Sequence, residues 1–546
     1  MLGAGPAGIS AAWHLSTLGY SVTVLERDGA VGGMGKTIAL GKYAVDYGPH
    51  TFHIRETPES RAVIDAIRPF FGEDPLILTR GTRVLLRGKY YVYPLEMLQV
   101  LTGVSPLLSA RIIFDYVVAT LKSALSPPRK EHSFEEWGVR NLGRTLYDLC
   151  FGLYSARVWG LPTSQISSKQ AQRVAKLNLK NIILRTLGIK ADPATYFTKY
   201  MYPRQGISTL FEGMAAEVRK AGNDIRLDSP AVRIERTGEP ITSVVCAHDG
   251  REERIACDGL ISTLPLPALV SMITPPLPAA VAEHASKLRY RSLKLIYVAL
   301  KRPVLTDFHW VYLLDQEFRV NRVSEQKNVS PDMVPADRTV LCIELSLWRD
   351  EPLWQKSDQE IFELALRDLM KMGYGITEAE VEEYHVTDIP TAYPVYELNF
   401  EDHLIPALEG VHAVPNLLTL GRHGLFLTTS MDDNVQLGMM VGNHIAAGGF
   451  RSRPYALFRL RQGQGLFSLL LQKPDKHFLR RPEGWVRFHQ LFQLIPNRTS
   501  GFLQQRGQAL VAVSQDQHGL GEQCRLKRVL LFLTEMPLGR NGADHL

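Results

Sequence analysis

The sequence predicts an α/β protein built on a doubly wound parallel sheet, and three observations at its N-terminal end predict it. Gly3, Gly5 and Gly8 form a G-x-G-x-x-G run. A helix-forming stretch, residues 7–18, follows without a break. Then Ser21-Val22-Thr23-Val24-Leu25 reads as a β-branched strand that ends on Glu26.

Each piece has a physical reason. The first glycine permits a tight strand-to-helix turn, the second lets backbone approach a pyrophosphate, and the third lets the helix pack closely on the sheet. Pro6 and Ala7 open the helix, whose free N–H groups and positive dipole end suit phosphate. An acidic side chain at Glu26 accepts hydrogen bonds from a ribose diol. A second glycine pair, Gly32 and Gly33, comes next in order. A glycine-rich turn ahead of an ordinary helix would explain the run alone, but not the helix, strand, acidic residue and second pair in sequence. The strand before Gly3 belongs at the centre of such a sheet. Only Met1 and Leu2 represent it, against about five to six residues in a mean strand, so a continuation upstream is expected.

Composition bounds the rest. The 546 residues are 45% hydrophobic and 22% charged, enough for two or three domains with cores of their own. The net charge of +6 is uneven: residues 451–546 carry 15 Lys+Arg and 6 Asp+Glu, a net of +9, whereas residues 1–450 carry 47 and 50, a net of −3. The main body therefore lacks the basic excess of a nucleic-acid binder, and no nucleic-acid partner is expected. Cys150, Cys246, Cys257, Cys342 and Cys524 are scattered with no CxxC pair. That argues against a disulfide framework or a metal site and fits a reducing, cytoplasmic compartment. The longest uncharged stretch, 259–282, holds five prolines, so no transmembrane segment is expected.

The run ERDGAVGGMGKT followed by YAVDYGPHTFHI resembles the flavin-dependent amine oxidase superfamily, which includes protoporphyrinogen oxidases, carotenoid desaturases and UDP-galactopyranose mutases. The resemblance covers about residues 1–448. It implies a glutathione-reductase-like, Rossmann-type FAD-binding domain with an inserted α+β substrate domain, and FAD as cofactor. It further implies that the Gly32-Gly33 pair supports the FAD diphosphate and isoalloxazine. The segment around Gly206, with an amphipathic helix on Leu210, Met214 and Val218 and a strand reaching Val232, resembles the return to the FAD domain. In relatives the equivalent of Val232 meets adenine through its backbone. The closing segment NLLTLGRHGLFLTTSMDDNVQLGMM implies a strand ending at Gly421-Arg422, with Arg422 near the diphosphate. Met431 and Asp432 would lie beside the ribityl chain and ring, and a helix over 433–446 would point its N-terminus at the cofactor. Taken singly, Arg422 suits a surface ion pair and Met431 a core position.

The resemblance divides the chain into a discontinuous FAD-binding domain (1–80, 203–264 and 401–448), a substrate domain (81–202 and 265–400) and a basic tail (449–546) read as a poorly ordered extension. The first insertion reads as mostly helical. Tyr154 lies one helical turn before Arg157, and Trp159 two residues after it, an arrangement suited to an anionic ring substrate through charge and stacking. A helix end packed on the core with a surface arginine fits the same residues equally well. The apolar stretch 106–125, interrupted by Arg111, Asp115 and Lys122, reads as an amphipathic helix packed on the FAD domain, with the lining of a greasy substrate channel or a peripheral membrane-surface contact as the other readings. The second insertion alternates strands with a helix over 358–372 and reads as a sheet roofing the flavin.

Two activities follow from the resemblance. The first is hydride transfer from a small-molecule substrate to flavin N5, with His50 and His53 as the titratable pair beside the flavin. The second is a mutase-like isomerisation on reduced FAD with no net redox, in which Trp159 contacts a sugar nucleotide and His50 and His53 flank the sugar. The mutases carry an Asn-Arg-Tyr-Phe-type segment whose arginine holds the diphosphate. Here the region reads KADPATYFTKY, with no arginine beside Tyr196-Phe197. That departure favours an oxidoreductase, acting on a glycan or lipid-linked precursor.

Overall fold

The computed structural model describes residues 1–125, 132–173, 199–448 and 450. Met1 and Leu2 lie in the middle of a parallel sheet. Leu2 pairs in parallel with Leu25 on one side and Ser262 on the other. Its N–H donates to Ile261 O and the Gly3 N–H to Leu25 O, each at 2.8 Å. Thr23–Leu25 pairs onward with Asp224–Arg226, and Leu260–Ser262 with Leu417–Thr419, again in parallel. The order across the sheet is therefore 224–226, 23–25, 1–2, 260–262, 417–419. The brief first strand holds the central place the glycine run assigns to it.

The strands are apolar on both sides because both sides are covered. Leu2, Leu25, Leu260 and Leu417 pack into a core with Ile234, Ile241 and Val244 of the antiparallel strands Ala231–Arg236 and Ile241–His248. Val24, Ile261 and Leu418 are buried too, and the two-residue period turns them the other way. The helices Pro6–Thr17, Ser208–Lys220 and Met431–Gly448 pack together. Leu210, Met214 and Val218 are fully buried, as their helical spacing requires.

The expected roof is a seven-stranded sheet in the order 381–394, 290–300, 339–347, 322–325, 310–313, 82–86, 89–92. Every residue of Thr339–Leu347 is buried. The helix Asp358–Lys371 starts from a capping box on Ser357 and Glu360 and buries Ile361, Ala365 and Leu369 against the sheet. The first insertion differs from its mostly helical reading at its start: Thr82–Leu86 and Lys89–Val92 join this sheet through parallel pairing of Thr82–Leu85 with Trp310–Leu313. That partner lies more than two hundred residues away, so no local periodicity reveals it. The helix Pro106–Leu125 also differs. It packs on Met97–Gly103, Phe134–Leu142 and Arg144–Tyr147, and Ile112 is its one buried residue. Residues 196–197 and the tail 451–546 lie outside the described residues.

A buried carboxyl pins these parts together. Asp46 accepts from Tyr202 Oη at 2.6 Å, Thr37 Oγ1 at 2.8 Å and the Ile207 N–H at 3.2 Å. Burial pushes its pKa up to about 7, although those three donors pull the other way. The folded pKa thus stands above the unfolded value. The unfolded chain releases this proton first, and stability is lost as pH rises from about 4 through about 7. The span is at most about 4 kcal/mol. Asp46→Asn is expected to flatten that slope in melting temperatures recorded between pH 5 and pH 8. An unchanged slope would show that Asp46 does not carry it.

Candidate functional site

The glycine run folds into a cradle whose spacing is set atom by atom. Gly3 sits at φ 90°, and a Cβ there would lie 2.2 Å from Thr263 Oγ1. A Cβ on Gly8 would lie 2.0 Å from Gly3 O. Gly5 is different: the nearest atom to its Cβ position is Gly33 Cα at 3.9 Å. Gly33, at φ 54°, faces it, and the Gly32 N–H donates to Ala4 O at 2.8 Å. Two bare backbones therefore face each other at the N-terminus of the helix that Pro6 and Ala7 begin. Pro6 and Met431 both come within 3.3 Å of the Cβ position of Gly35, so the first helix and the closing helix meet at this turn.

Glu26 ends the neighbouring strand and is buried. One carboxylate oxygen accepts the Ala4 N–H at 2.6 Å and the other the Asp28 N–H at 2.9 Å. Each oxygen keeps further acceptor capacity. The chain passes Glu26 again at Ser229, whose N–H donates to Glu26 O. Val232 follows at a bulge, 40% exposed.

At the other end of the cradle the closing helix begins at Met431, two residues before the sequence expectation. Its first turn carries Asp432 and Asp433, where carboxylates suit the dipole. Asp432 Oδ1 accepts from His53 Nδ1 at 2.8 Å, and its other oxygen meets Arg55 at 2.5 Å. Arg55 also binds Asp433 at 2.6 Å. Burial alone would raise the Asp432 pKa, but the His53 bond and the charges of His53 and Arg55 outweigh it and hold the carboxyl below the usual range. Asp432 is thus ionised and anchors His53 through Nδ1. His53 is placed by pairing with Tyr200 across Phe52–His53 and Lys199–Tyr202, the rings 5.2 Å apart.

His50 behaves differently from His53. Its Nδ1 lies 2.8 Å from Gly48 O. Burial holds its pKa down at about 4, with the Arg422 and Arg322 charges adding to the effect. It is neutral near pH 7, donates its Nδ1–H to Gly48 O and keeps Nε2 as an acceptor. Arg322, on the strand Arg322–Glu325, forms a buried ion pair with Glu344 on Thr339–Leu347. Its guanidinium lies 5.9 Å from the Tyr312 ring. Arg422 lies 4.9 Å from the Tyr393 ring and donates to Thr429 O at 2.6 Å. Trp159 touches that same Tyr393 with ring centres 6.1 Å apart.

Four buried donors here have no hydrogen-bond partner among the described residues: Tyr200 Oη, Trp310 Nε1, Arg322 Nε and Arg422 Nε. Native interiors rarely leave such groups unpaired. Tyr200 and Trp310 are ring neighbours at 5.9 Å. The facing glycines and the spare acceptor capacity of Glu26 fit a dinucleotide.

The terminal nitrogens of Arg157 are committed to backbone carbonyls. Its guanidinium lies 5.7 Å from the Tyr154 ring, as their helical spacing requires, but it donates to the carbonyls of Leu313, Asp315 and Phe318. It anchors a loop. Arg55, Arg322, Glu344, Tyr200 and Trp310 were not singled out from sequence. One signal was present for Glu344, the lone charge in a strand of otherwise uncharged residues. Among the described residues no group of three His, Cys, Asp or Glu is placed to hold a metal.

The family model for flavin-containing amine oxidoreductases matches residues 6–423. A 52-residue stretch is 50% identical to all-trans-zeta-carotene desaturase of Myxococcus xanthus, covering 9% of this chain and 10% of that protein. Over 177 residues the chain is 22% identical to a probable UDP-galactopyranose mutase of Klebsiella pneumoniae, 32% of this chain and 44% of that one. The chain thus spans less than half the length of these curated relatives. In fold it superposes on reduced UDP-galactopyranose mutase with a TM-score of 0.70 at 20% identity, covering 82% of this chain and 94% of that chain.

Proposed function

The chain belongs to the flavin-containing amine oxidoreductase family, and on that premise we propose that it is an FAD-dependent oxidoreductase acting on a small acceptor-rich substrate. The observation that carries this reading is the set of unpartnered buried donors at Tyr200, Trp310, Arg322 and Arg422. FAD supplies the redox chemistry when bound, accepting a hydride and passing the electrons on.

The residues around it bind, orient and exclude water. In this reading 1–80, 203–264 and 401–448 form a doubly wound, glutathione-reductase-like FAD domain, and 81–202 and 265–400 form the substrate domain. Gly3, Gly5, Pro6, Ala7, Gly8, Gly32 and Gly33 offer backbone to the diphosphate, and Glu26 takes a ribose diol. Val232, Gly421, Arg422, Met431 and Asp432 complete that shell. Asp432 holds His53 in place through Nδ1, while neutral His50 accepts a hydrogen bond. Trp159, Tyr393 and Tyr312 give a flat substrate ring its stacking surface. A glycan or lipid-linked precursor bearing an anionic group meets these demands.

A mutase-like isomerisation on reduced FAD is the second reading. Arg322 and Arg422 act together on His50 beside Tyr312 and Tyr393, which suits a diphosphate attached to a sugar.

The visible spectrum of the purified chain, followed by release of the chromophore, is expected to give one FAD per chain. Anaerobic mixing of the chemically reduced protein with UDP-galactopyranose then separates the two readings. An unchanged sugar supports the oxidoreductase, and furanose product with the flavin still reduced overturns it.

A further inference from the structure

We propose that the helix Pro106–Leu125 is a docking face for an anionic lipid surface, an inference that goes beyond the redox reading and does not rest on it. The helix has 20 residues and buries only Ile112. Leu107, Phe114, Val117, Leu121 and Leu125 are exposed, Leu107 and Leu125 by 84% and 86%, and Phe114 by 66%. With Ala110, also exposed, they fall at i, i+3, i+7, i+10, i+14 and i+18, a single uncharged stripe along the whole helix. A helix that merely packs on its neighbours turns such a stripe inward. This one turns inward a different face, Leu108, Ile112 and Tyr116, beside which Asp115 accepts the Thr145 N–H at 3.0 Å and Ser123 accepts from Arg140 at 3.1 Å.

Charge says which surface covers the stripe. Its two basic residues, Arg111 and Lys122, are exposed and flank one edge. Its one acidic residue, Asp115, is the group held inward by Thr145. Lys89 reaches Gly103 O just ahead of the helix, adding a third cation at that end. An apolar ridge with a basic margin is the pattern of a helix lying in the headgroup plane of an anionic bilayer. A second copy would set ridge against ridge and bring like charges together, which opposes association. The helix rests on the surface rather than crossing it, since among the described residues no helix is long and apolar enough to span a membrane.

The test is flotation of the full-length protein with vesicles of equimolar phosphatidylcholine and phosphatidylglycerol, and with phosphatidylcholine alone. The protein is expected to float with the mixed vesicles and far less with phosphatidylcholine. Phe114→Ser with Leu121→Ser, and separately Arg111→Glu with Lys122→Glu, are each expected to weaken partition ~tenfold or more. These side chains are exposed, so the melting temperature is expected to hold, and it serves as the control for folding. No flotation by the original chain overturns the proposal. So does undiminished flotation of the Phe114/Leu121 variant, which would make the basic residues 451–546 the lipid contact. A concentration-dependent dimer dissolved by the same two substitutions also overturns it, giving the face to a second copy.

Discussion

Gly5→Ala is expected to leave the fold intact and remove most of the FAD affinity, while Gly8→Ala destabilises the fold itself. Gly5 is at φ −67° and ψ 177°, backbone that any residue adopts. Its new Cβ would meet nothing nearer than Gly33 Cα at 3.9 Å. Ala is a poorer helix N-cap than Gly, at a cost of some tenths of a kcal/mol. The folded protein has little other reason to object. A pyrophosphate does, because the second glycine of this turn is where backbone must come close to it. Losing two charge-assisted hydrogen bonds weakens FAD by about 100-fold, or roughly 2.7 kcal/mol. At Gly8 the Cβ would stand 2.0 Å from Gly3 O, a backbone atom that cannot step aside. Titration of the apoprotein with FAD, beside its melting temperature, separates the cases. A Gly5→Ala protein that binds FAD normally would mean that the diphosphate does not pass there.

That contrast shows how far the sequence can be read. Glycine spacing, the β-branched strand and Glu26 are local and chemical, so the run up to Gly33 is legible, and Leu210, Met214 and Val218 likewise mark their helix face. Leu2 takes its central place because partners on both sides supply its hydrogen bonds. What is not legible is long-range pairing. Thr82–Leu85 gains its place from Trp310–Leu313, and no residue in either segment announces the other. Arg157 shows the same limit from the other side. Its spacing from Tyr154 is real, but only the loop carbonyls of 313–318 decide that its guanidinium is used for anchoring. His50 and His53 look alike in the sequence. Burial sends one to a neutral acceptor, and a carboxylate orients the other. The 106–125 stripe is legible as amphipathic, whereas the side it shows to solvent depends on neighbours that the sequence does not name.

Arg322 and Glu344 carry the second large effect, and two substitutions separate their structural from their binding role. Glu344 is buried, Arg322 is largely covered, and the two are bonded to each other. Arg322→Met leaves the Glu344 carboxylate without its cation, and breaking a buried pair this way costs about 3–5 kcal/mol. Adding Glu344→Gln removes the stranded charge, so the double variant is expected to recover most of the loss in a urea or thermal melt. Ligand binding is not expected to follow. With Arg322 gone, the site keeps Arg422 beside Tyr393 but loses the guanidinium beside Tyr312. UDP-galactose, used as an anionic ring probe, is therefore expected to bind the double variant at least about tenfold more weakly than the original, some 1.4 kcal/mol. His50 gives an independent reading. Burial holds its pKa at about 4, with Arg422 and Arg322 contributing, so loss of the Arg322 charge is expected to raise it in an NMR titration. If the double variant regains both stability and probe affinity while His50 still titrates near 4, Arg322 serves the sheet alone, and the donors that face the substrate reduce to Tyr200, Trp310 and Arg422.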